Sequence, residues 1–237
     1  MTRLSVNINK VALIRNARVG NLPNLVQVAK DCESFGAQGI TVHPRPDQRH
    51  IRYSDIPELK AVVSTEFNIE GYPNADFIKL VLENRPDQAT LVPDPPGVLT
   101  SDKGWDTIGQ ASFLKEVVDE LQAAGIRVSL FVDAEAPYVE GAKAVGADRI
   151  EFYTGNYAKV FEKNPAEAVA PHRHCALLAK QIGIGINAGH DLNLDNLRFY
   201  QQQVPGLLEV SIGHALISDA LYLGLAQTIQ QYLARLA

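Results

Sequence analysis

The chain has 237 residues, of which 46% are hydrophobic and 21% are charged, and its formal net charge is −5. This composition is typical of a globular protein with a substantial core. The acidic balance and the lack of a basic run argue against nucleic acid as the main partner. No stretch approaches the ~18 apolar residues of a membrane span, and the chain opens directly on a strand-like run. We therefore expect a soluble cytoplasmic protein.

Short apolar runs and longer amphipathic segments alternate along the chain. The runs predict eight strands, at 4–8, 39–43, 67–70, 88–93, 127–133, 149–153, 183–188 and 207–212. The segments between them predict helices, at 22–35, 55–64, 74–84, 110–124, 135–145, 165–182, 193–203 and 214–235.

Eight such units with strands apolar on both faces predict an α/β protein with a closed (β/α)8 TIM barrel. An open doubly wound sheet is the alternative, but no G-x-G-x-x-G motif follows the first strand. No linker-like stretch divides residues 1–237, which we predict to form one barrel domain. The longest irregular segment, 93–104, follows the fourth strand and is predicted to close over the site as a lid.

In such a barrel the active site is built where the strands end on their carboxyl side. Polar or ionisable residues, or small ones followed by histidine, lie at all eight ends: Asn7 and Asn9, His43, Glu70, Asp94, Asp133, Glu151, His190, and Gly213 with His214. A rim of imidazole and carboxylate groups predicts acid/base catalysis. His43 and His190 are the candidates for proton transfer because imidazole titrates near neutral pH.

The two glutamates of this rim have different settings. Glu70 lies between an isoleucine and a glycine, where partial burial would raise its pKa into the range of a general base. Glu151 lies inside the sixth strand between two apolar residues. It either points into the barrel or pairs with a neighbouring charge, and the sequence leaves both readings open.

The loops after the seventh and eighth strands are rich in small residues and lead into predicted helices. Backbone N–H groups at a helix N-terminus bind anions, and this part of a barrel is a frequent phosphate site. We therefore expect a phosphorylated substrate, although Gly189 and Gly213 also suit ordinary turns.

The remaining histidines and cysteines show no metal-binding spacing. His172 and His174 fall within a predicted helix without a carboxylate partner, and we expect both on the surface and no metal. Cys32 and Cys175 are expected to be reduced, partly buried thiols.

Eight motifs follow one another in a specific order over nearly the whole chain. They are VNIN-x-x-A-x-x-RNAR at 6–18, GITVHPRPDQRHI at 39–51, N-x-E at 68–70, LVP at 91–93, VSLFVDA at 128–134, E-x-x-TG-x-YA at 151–158, NAGHDL at 187–192 and IGHA at 212–215. With these motifs the chain resembles the pyridoxine 5'-phosphate synthase family of the deoxyxylulose-phosphate-dependent vitamin B6 pathway.

The resemblance implies a barrel enzyme with additional helices that assembles into a homo-octamer. Its reaction condenses 1-deoxy-D-xylulose 5-phosphate with 3-amino-2-oxopropyl phosphate to give pyridoxine 5'-phosphate, inorganic phosphate and water. It needs no cofactor. The alternatives are another phosphosugar-processing barrel enzyme and a catalytically inactive barrel that binds pyridoxine phosphate. An aldolase acting through a Schiff base would need a lysine at an inner strand end, where Lys10 is the one weak candidate.

The resemblance also implies roles for individual residues. His43 and Glu70 would act as bases, His190 as proton donor and Glu151 as stabiliser of a charged intermediate. The two substrates would contact the remaining residues: Asn7, Arg18, Gly213 and His214 for the aminoketone phosphate, Arg45, His50 and Thr100 for the deoxyxylulose phosphate, and Asp191 beside the proton donor. Asn9 and Lys10 replace the Asp-His pair of many family members, and their contact to the second substrate carries over less firmly. Arg49 and Arg52 receive no role and are expected to be solvated.

Overall fold

The computed structural model describes residues 1–94 and 103–237. Its eight parallel strands close into a barrel in sequence order, with β8 paired to β1. The strands are β1 Arg3–Asn7, β2 Gly39–Val42, β3 Glu66–Gly71, β4 Gln88–Leu91, β5 Arg127–Val132, β6 Arg149–Phe152, β7 Gly185–Gly189 and β8 Leu207–Ile212. The predicted α/β barrel is confirmed.

Helices surround this barrel. Those within the described residues are α1 Asn9–Asn16, α2 Leu25–Ser34, α3 Asp55–Lys60, α4 Ala75–Asn84, α5 Ala111–Ala123, α6 Ala136–Ala144, α7 Gly155–Phe161, α8 Pro165–Ile182, α9 Leu197–Gln203, α10 His214–Leu223 and α11 Leu225–Leu236. None of these described helices is long and apolar enough to cross a membrane.

The sequence did not predict α1 and α7, and it merged α10 with α11. Both missed helices are short and lie within motifs that read as loops after a strand. The predicted helix at 214–235 is divided by Gly224, whose φ of +78° is outside the helical range. The predicted helix at 193–203 begins only at Leu197.

Side chains alternate along each strand between the surrounding helices and the barrel interior. Leu4 and Val6 on β1 are buried on the helix side. The interior instead holds a hydrogen-bonded polar layer, in which the hydroxyls of Ser5 and Thr41 lie 2.7 Å apart and Thr90 donates to Asn68 Oδ1 at 3.0 Å. The same alternation places Glu66 and Glu70 of β3 on the interior face, one at each end of the barrel.

The amino ends of the strands form a charged cluster, which we call the floor: Arg3, Glu66, Arg127, Arg149 and Glu209. Glu66 contacts Arg127 directly and lies 3.4 Å from Arg3 Nη1 and 3.7 Å from Arg149 Nη1. Burial and the negative charge of Glu66 raise the pKa of Glu209 to about 8. The floor therefore places three arginines against Glu66, next to a Glu209 carboxyl that is mostly protonated at neutral pH.

The prediction that His172 is a surface residue is wrong. His172 is buried against Phe152, and its Nδ1 lies 3.0 Å from the hydroxyl of Tyr200. It lies on the face of α8 that packs on the barrel. Because this helix is rich in alanine, its sequence does not show clearly which face is buried. His174 is exposed, as expected. Cys32 and Cys175 are free thiols and are fully buried.

Candidate active site

A cavity of about 640 Å³ opens at the carboxyl ends of the strands. Its lining consists of Asn7, Asn9, Lys10, Leu13, His43, Arg45, Arg49, His50, Glu70, Val92, Phe131, Glu151, His190, Asp191, Ser211, Gly213 and His214. Of the residues to which the family resemblance assigns a role, all except Arg18 and Thr100 lie in this lining. Arg18 is exposed outside it, and Thr100, like most of the proposed lid at 93–104, lies outside the described residues.

The loop after β2 is held against the barrel by α1. Arg15 is buried and makes a two-pronged ion pair with Asp55, at 2.7 and 2.9 Å. Arg15 and Asn16 both donate to the carbonyl of His50, at 3.1 and 2.7 Å. The RNAR motif thus fixes the position of this loop, a function that its sequence did not show.

Asn9 stabilises the start of the same loop from the end of β1. Its Oδ1 accepts the backbone N–H of His43 at 2.9 Å, and its own N–H donates to Asn7 Oδ1 at 3.0 Å. The amide oxygen serves the acceptor function that an aspartate would also provide at this position. Lys10 follows on the cavity wall, where burial and the charges of Arg45 and Arg49 lower the pKa of its amine.

Two histidines on this side of the cavity are neutral. Burial, together with the positive charges around it, lowers the pKa of His43 well below its usual range. The same causes lower the pKa of His50 to about 4. Because His50 Nδ1 accepts the N–H of Ile51 at 2.9 Å, its proton lies on Nε2, which can donate to an anion. His43 in its neutral form can accept a proton.

Glu70 has a raised pKa, as the sequence led us to expect. Burial raises the pKa of this carboxyl to about 7, although the nearby charge of His190 and a hydrogen bond from Ser211 oppose the effect. Asn7 Nδ2 donates to its Oε2 at 3.4 Å. A carboxyl that titrates near neutral pH can take up and release a proton in the same catalytic cycle.

Glu151 points into the barrel, so the first of its two readings is correct. It makes no salt bridge within the described part of the chain, and its Oε2 is buried without a hydrogen-bond partner there. Burial and then the charge of Glu70 raise its pKa well above the usual range. The two carboxyls form a coupled pair in which Glu151 keeps its proton more strongly.

His190 lies beside a carboxylate at the end of β7. Its Nδ1 is 2.7 Å from Asp191 Oδ2. This hydrogen bond and the charge of His190 lower the pKa of Asp191, which keeps it a carboxylate that accepts the Nδ1 proton. His190 also lines the cavity, so its imidazole lies within reach of a bound substrate.

The loops at β7 and β8 differ in what they present. Gly213 is the N-cap of α10, so the start of this helix lies at the cavity wall. An added Cβ on Gly213 would lie 3.0 Å from the side chain of Asn7, so glycine avoids a tight contact at this point. The loop after β7 does not lead directly into a helix, because α9 begins six residues after Asp191. Only the β8 loop therefore fits the predicted helix-start anion site.

Comparison with known proteins identifies the family. The model for "Pyridoxal phosphate biosynthesis protein PdxJ" matches residues 4–237. Two curated relatives named pyridoxine 5'-phosphate synthase cover 98% of this chain and 98% of their own length. The protein of Christiangramia forsetii is 60% identical over 233 residues, and that of Bacteroides fragilis is 61% identical over 232. The chain belongs to the PdxJ family.

A solved structure of thiamine phosphate pyrophosphorylase from Pyrococcus furiosus matches with a TM-score of 0.64 at 14% identity, over 99% of this chain and 95% of that one. At this identity the match shows the barrel fold alone.

Arg49 is a cavity residue of this PdxJ family member that the sequence interpretation missed. We expected it in solvent, but it lines the cavity, and its charge acts on Lys10, His43 and His50. Its position three residues after Pro46, in the loop that was already identified, was the available signal. Arg52 is exposed, as expected, and lies outside this lining.

Two carboxylates that were predicted at the active site because they follow strands (the strand-end rule) instead have structural roles near the cavity. Asp94 is 3.0 Å from Arg45 Nη2 and partly neutralises that guanidinium. Asp133 accepts the N–H of Gly104 at 3.0 Å and lies outside the cavity lining. Conversely, the rule missed Val92 and Phe131, which form an apolar wall together with Tyr153.

Within the described residues, no group of three or more His, Cys, Asp or Glu side chains could hold a metal ion.

Proposed function

We propose that the chain is a pyridoxine 5'-phosphate synthase that condenses 1-deoxy-D-xylulose 5-phosphate with 3-amino-2-oxopropyl phosphate. The observation that carries this proposal is a cavity whose lining combines a carboxyl with a pKa raised to about 7, a neutral buried histidine and a cluster of cations. Family membership and relatives with this name support the same activity.

The chemistry requires successive proton transfers at neighbouring atoms. The amine of the aminoketone attacks the ketone of the sugar phosphate, and the C=N bond forms as water leaves. In this step the nitrogen loses two protons, and the ketone oxygen gains two before it leaves as water. Later steps remove phosphate, abstract carbon-bound protons and close the ring. Neutral His43 and ionised Glu70 act as bases in our assignment, and His190 delivers protons to leaving oxygens.

The buried pair of glutamates gives the site two carboxyls in different protonation states. Glu151 keeps its proton near neutral pH, whereas Glu70 exchanges one. As a cationic imine forms beside them, its positive charge favours ionisation of the nearby carboxyl. Glu151 therefore stabilises the charged intermediate in our assignment and remains neutral in the free enzyme.

Two groups of donors would bind the two phosphates. Arg45, His50 and Lys10 stand together on the β1 and β2 side, and we assign them, with Asn9, to deoxyxylulose phosphate. Asn7, Gly213 and His214 stand at the start of α10, and we assign them to the aminoketone phosphate. Arg18 and Thr100 keep the contacts that the family resemblance implies, as predictions.

The test supplies both phosphorylated substrates to the purified protein and follows pyridoxine 5'-phosphate by absorbance and inorganic phosphate by colorimetry. We expect one phosphate for each pyridoxine 5'-phosphate, and no product when either substrate is omitted. Failure of the native protein to form product would refute the activity. Full turnover by both Glu70→Gln and His43→Asn would refute the assignment of the bases.

We also propose a homo-octamer acting in the cytoplasm. Large apolar side chains on the loop after α1 and at the end of α10 support an assembly, since Val19, Leu22, Leu221 and Tyr222 are each at least 72% exposed. Light scattering coupled to gel filtration measures the stoichiometry. A monomer at micromolar concentration would contradict the octamer and leave the catalytic assignment unchanged.

A further inference from the structure

Thr154 is a buried residue two positions beyond the end of β6, and the activity described above gives it no role. Its hydroxyl donates to the carbonyl oxygen of Gly189 and accepts the N–H of Asp191 at 3.2 Å. These two peptide groups lie immediately before and after His190. One hydroxyl thus contacts the backbone on both sides of the proposed proton donor.

The backbone at His190 adopts a conformation that side chains disfavour. Its φ is +66°, and the N–H of Asp191 donates to the carbonyl of Gly189 at 3.0 Å, across a single residue. A positive φ and an i to i+2 hydrogen bond are the features of a γ-turn with positive φ, which is rare and strained. Such a conformation persists only where the surrounding contacts enforce it.

Packing on the other side of this turn is equally tight. A Cβ added to Gly189 would lie 2.5 Å from the carbonyl oxygen of Ser211 and 2.8 Å from Glu151 Oε1. The turn is therefore pressed against β8 and the catalytic glutamate on one side and bonded to Thr154 on the other. Thr154 supplies the polar contact that offsets the strain.

We propose that Thr154 is a positioning residue whose hydroxyl holds the γ-turn at His190 and so aims the imidazole into the cavity. Without this hydroxyl the turn relaxes toward negative φ, and the ring leaves its place beside Asp191. The consequence for turnover rests on the proposed function, in which His190 donates protons. The hold on the His190 backbone does not depend on that function.

Kinetics of three variants test the consequence for turnover. Thr154→Val keeps the shape of the side chain but loses both hydrogen bonds, and we expect kcat to fall by about 10- to 100-fold, with a much smaller change in KM. Thr154→Ser keeps the hydroxyl and should restore most of kcat. Thr228→Val is the matched control, because this buried hydroxyl donates to the carbonyl of Gly224, the N-cap of α11, at 2.9 Å, outside the cavity lining. Its kcat should equal that of the native enzyme.

NMR of the ligand-free protein with ring-labelled histidine tests the hold on His190 directly. The signal absent from His190→Asn identifies this residue. It should shift or broaden in Thr154→Val and keep its native position in Thr154→Ser, while the signal of buried His172 stays unchanged. Should Thr154→Val not fold, Thr154→Ala removes the same two hydrogen bonds and replaces it in both experiments.

A native His190 signal in the folded variant without the hydroxyl would overturn the inference, whether or not turnover falls. Native kcat in that variant would overturn the positioning role as well. If the native protein forms no pyridoxine 5'-phosphate, the proposed function fails, and the NMR comparison still decides whether Thr154 holds the turn.

Discussion

Strand β3 carries a glutamate near each of its two ends, and both side chains face the barrel interior. Their surroundings differ. Glu66 at the floor lies against three arginines, whereas Glu70, four residues and ~13 Å along the strand, makes no salt bridge to an arginine within the described residues. Its ion pairs with the arginines give Glu66 a structural role. Burial without a paired cation leaves Glu70 with a pKa of about 7 and a proton that it can exchange.

A raised pKa alone does not distinguish the two ends. Glu209 at the floor also has a raised pKa, because it is buried and Glu66 beside it is negatively charged. Glu209 differs from Glu70 in its access to substrate, since it is 1% exposed and is not part of the cavity lining at the mouth. A perturbed carboxyl indicates a catalytic group only where substrate can reach it.

The largest expected effect is loss of turnover at the mouth. Glu70→Gln keeps the volume of the side chain but removes the exchangeable proton, and we expect kcat to fall by about 10²- to 10⁴-fold. Thermal unfolding of the variant should match or exceed that of the native protein at neutral pH, because no ion pair is lost. The exposed Glu120→Gln on α5 serves as control. Native turnover in Glu70→Gln would remove the contrast between the two ends.

The next effect is loss of stability at the floor. In Glu66→Gln alone, Glu209 can ionise and take over the arginines, so the cost is limited. The double variant Glu66→Gln/Glu209→Gln leaves the arginines without a counter-charge and should lower the free energy of unfolding by roughly 3 kcal/mol. Denaturant unfolding of both single variants and the double variant measures the coupling, and the double loss should exceed the sum. Additive losses would contradict a shared charge balance.

The pH dependence of kcat/KM separates the ends further. A base must be deprotonated to act, so activity should fall below pH 7 by up to about tenfold per pH unit as Glu70 takes up its proton. In Glu209→Gln the fall of kcat/KM should occur at the same pH as in the native enzyme, and in Glu70→Gln it should be absent. The profiles are measured at substrate concentrations well below KM. If the pH at which kcat/KM falls were shifted in Glu209→Gln, the floor carboxyl would control catalysis.

The sequence predicted the mouth of the barrel much better than its floor. Glu70 and His190 follow apolar strands, and the strand-end rule therefore places them at one rim. Glu66 and Arg127 begin their strands, where a charged residue reads as a boundary, and their inward direction follows only from the alternation set by the barrel register. Once a closed barrel is assumed, strand alternation places Glu66 on the same inward face as Glu70, because the two residues are four positions apart.

Contacts between distant segments were the other part that the sequence could not supply. Arg15 meets Asp55 across 40 residues and Thr154 meets Gly189 across 35. Neither pair shows a fixed spacing, because the closure of the barrel brings them together. For the same reason the sequence did not show the burial of His172, which results from the packing of α8 against Phe152 of β6.

The last expected effect is that of Glu209→Gln on stability, and it depends on pH. The native carboxyl has a folded pKa of about 8, above the usual 4.5 of the unfolded chain. The folded state therefore binds this proton more tightly, and stability from this group is lost as pH rises from about 4.5 to about 8. The glutamine of the variant has no proton to lose, so the variant lacks this slope.

Near pH 5 the two proteins should agree within about 1 kcal/mol, because glutamine resembles the protonated glutamate in size and polarity. Toward pH 8 the native protein should lose stability relative to the variant by at most ~1.4 kcal/mol per pH unit. Urea unfolding at half-unit steps from pH 5 to pH 9 measures the difference. Parallel curves would mean that Glu209 is already ionised and paired with the floor arginines, contrary to the raised pKa.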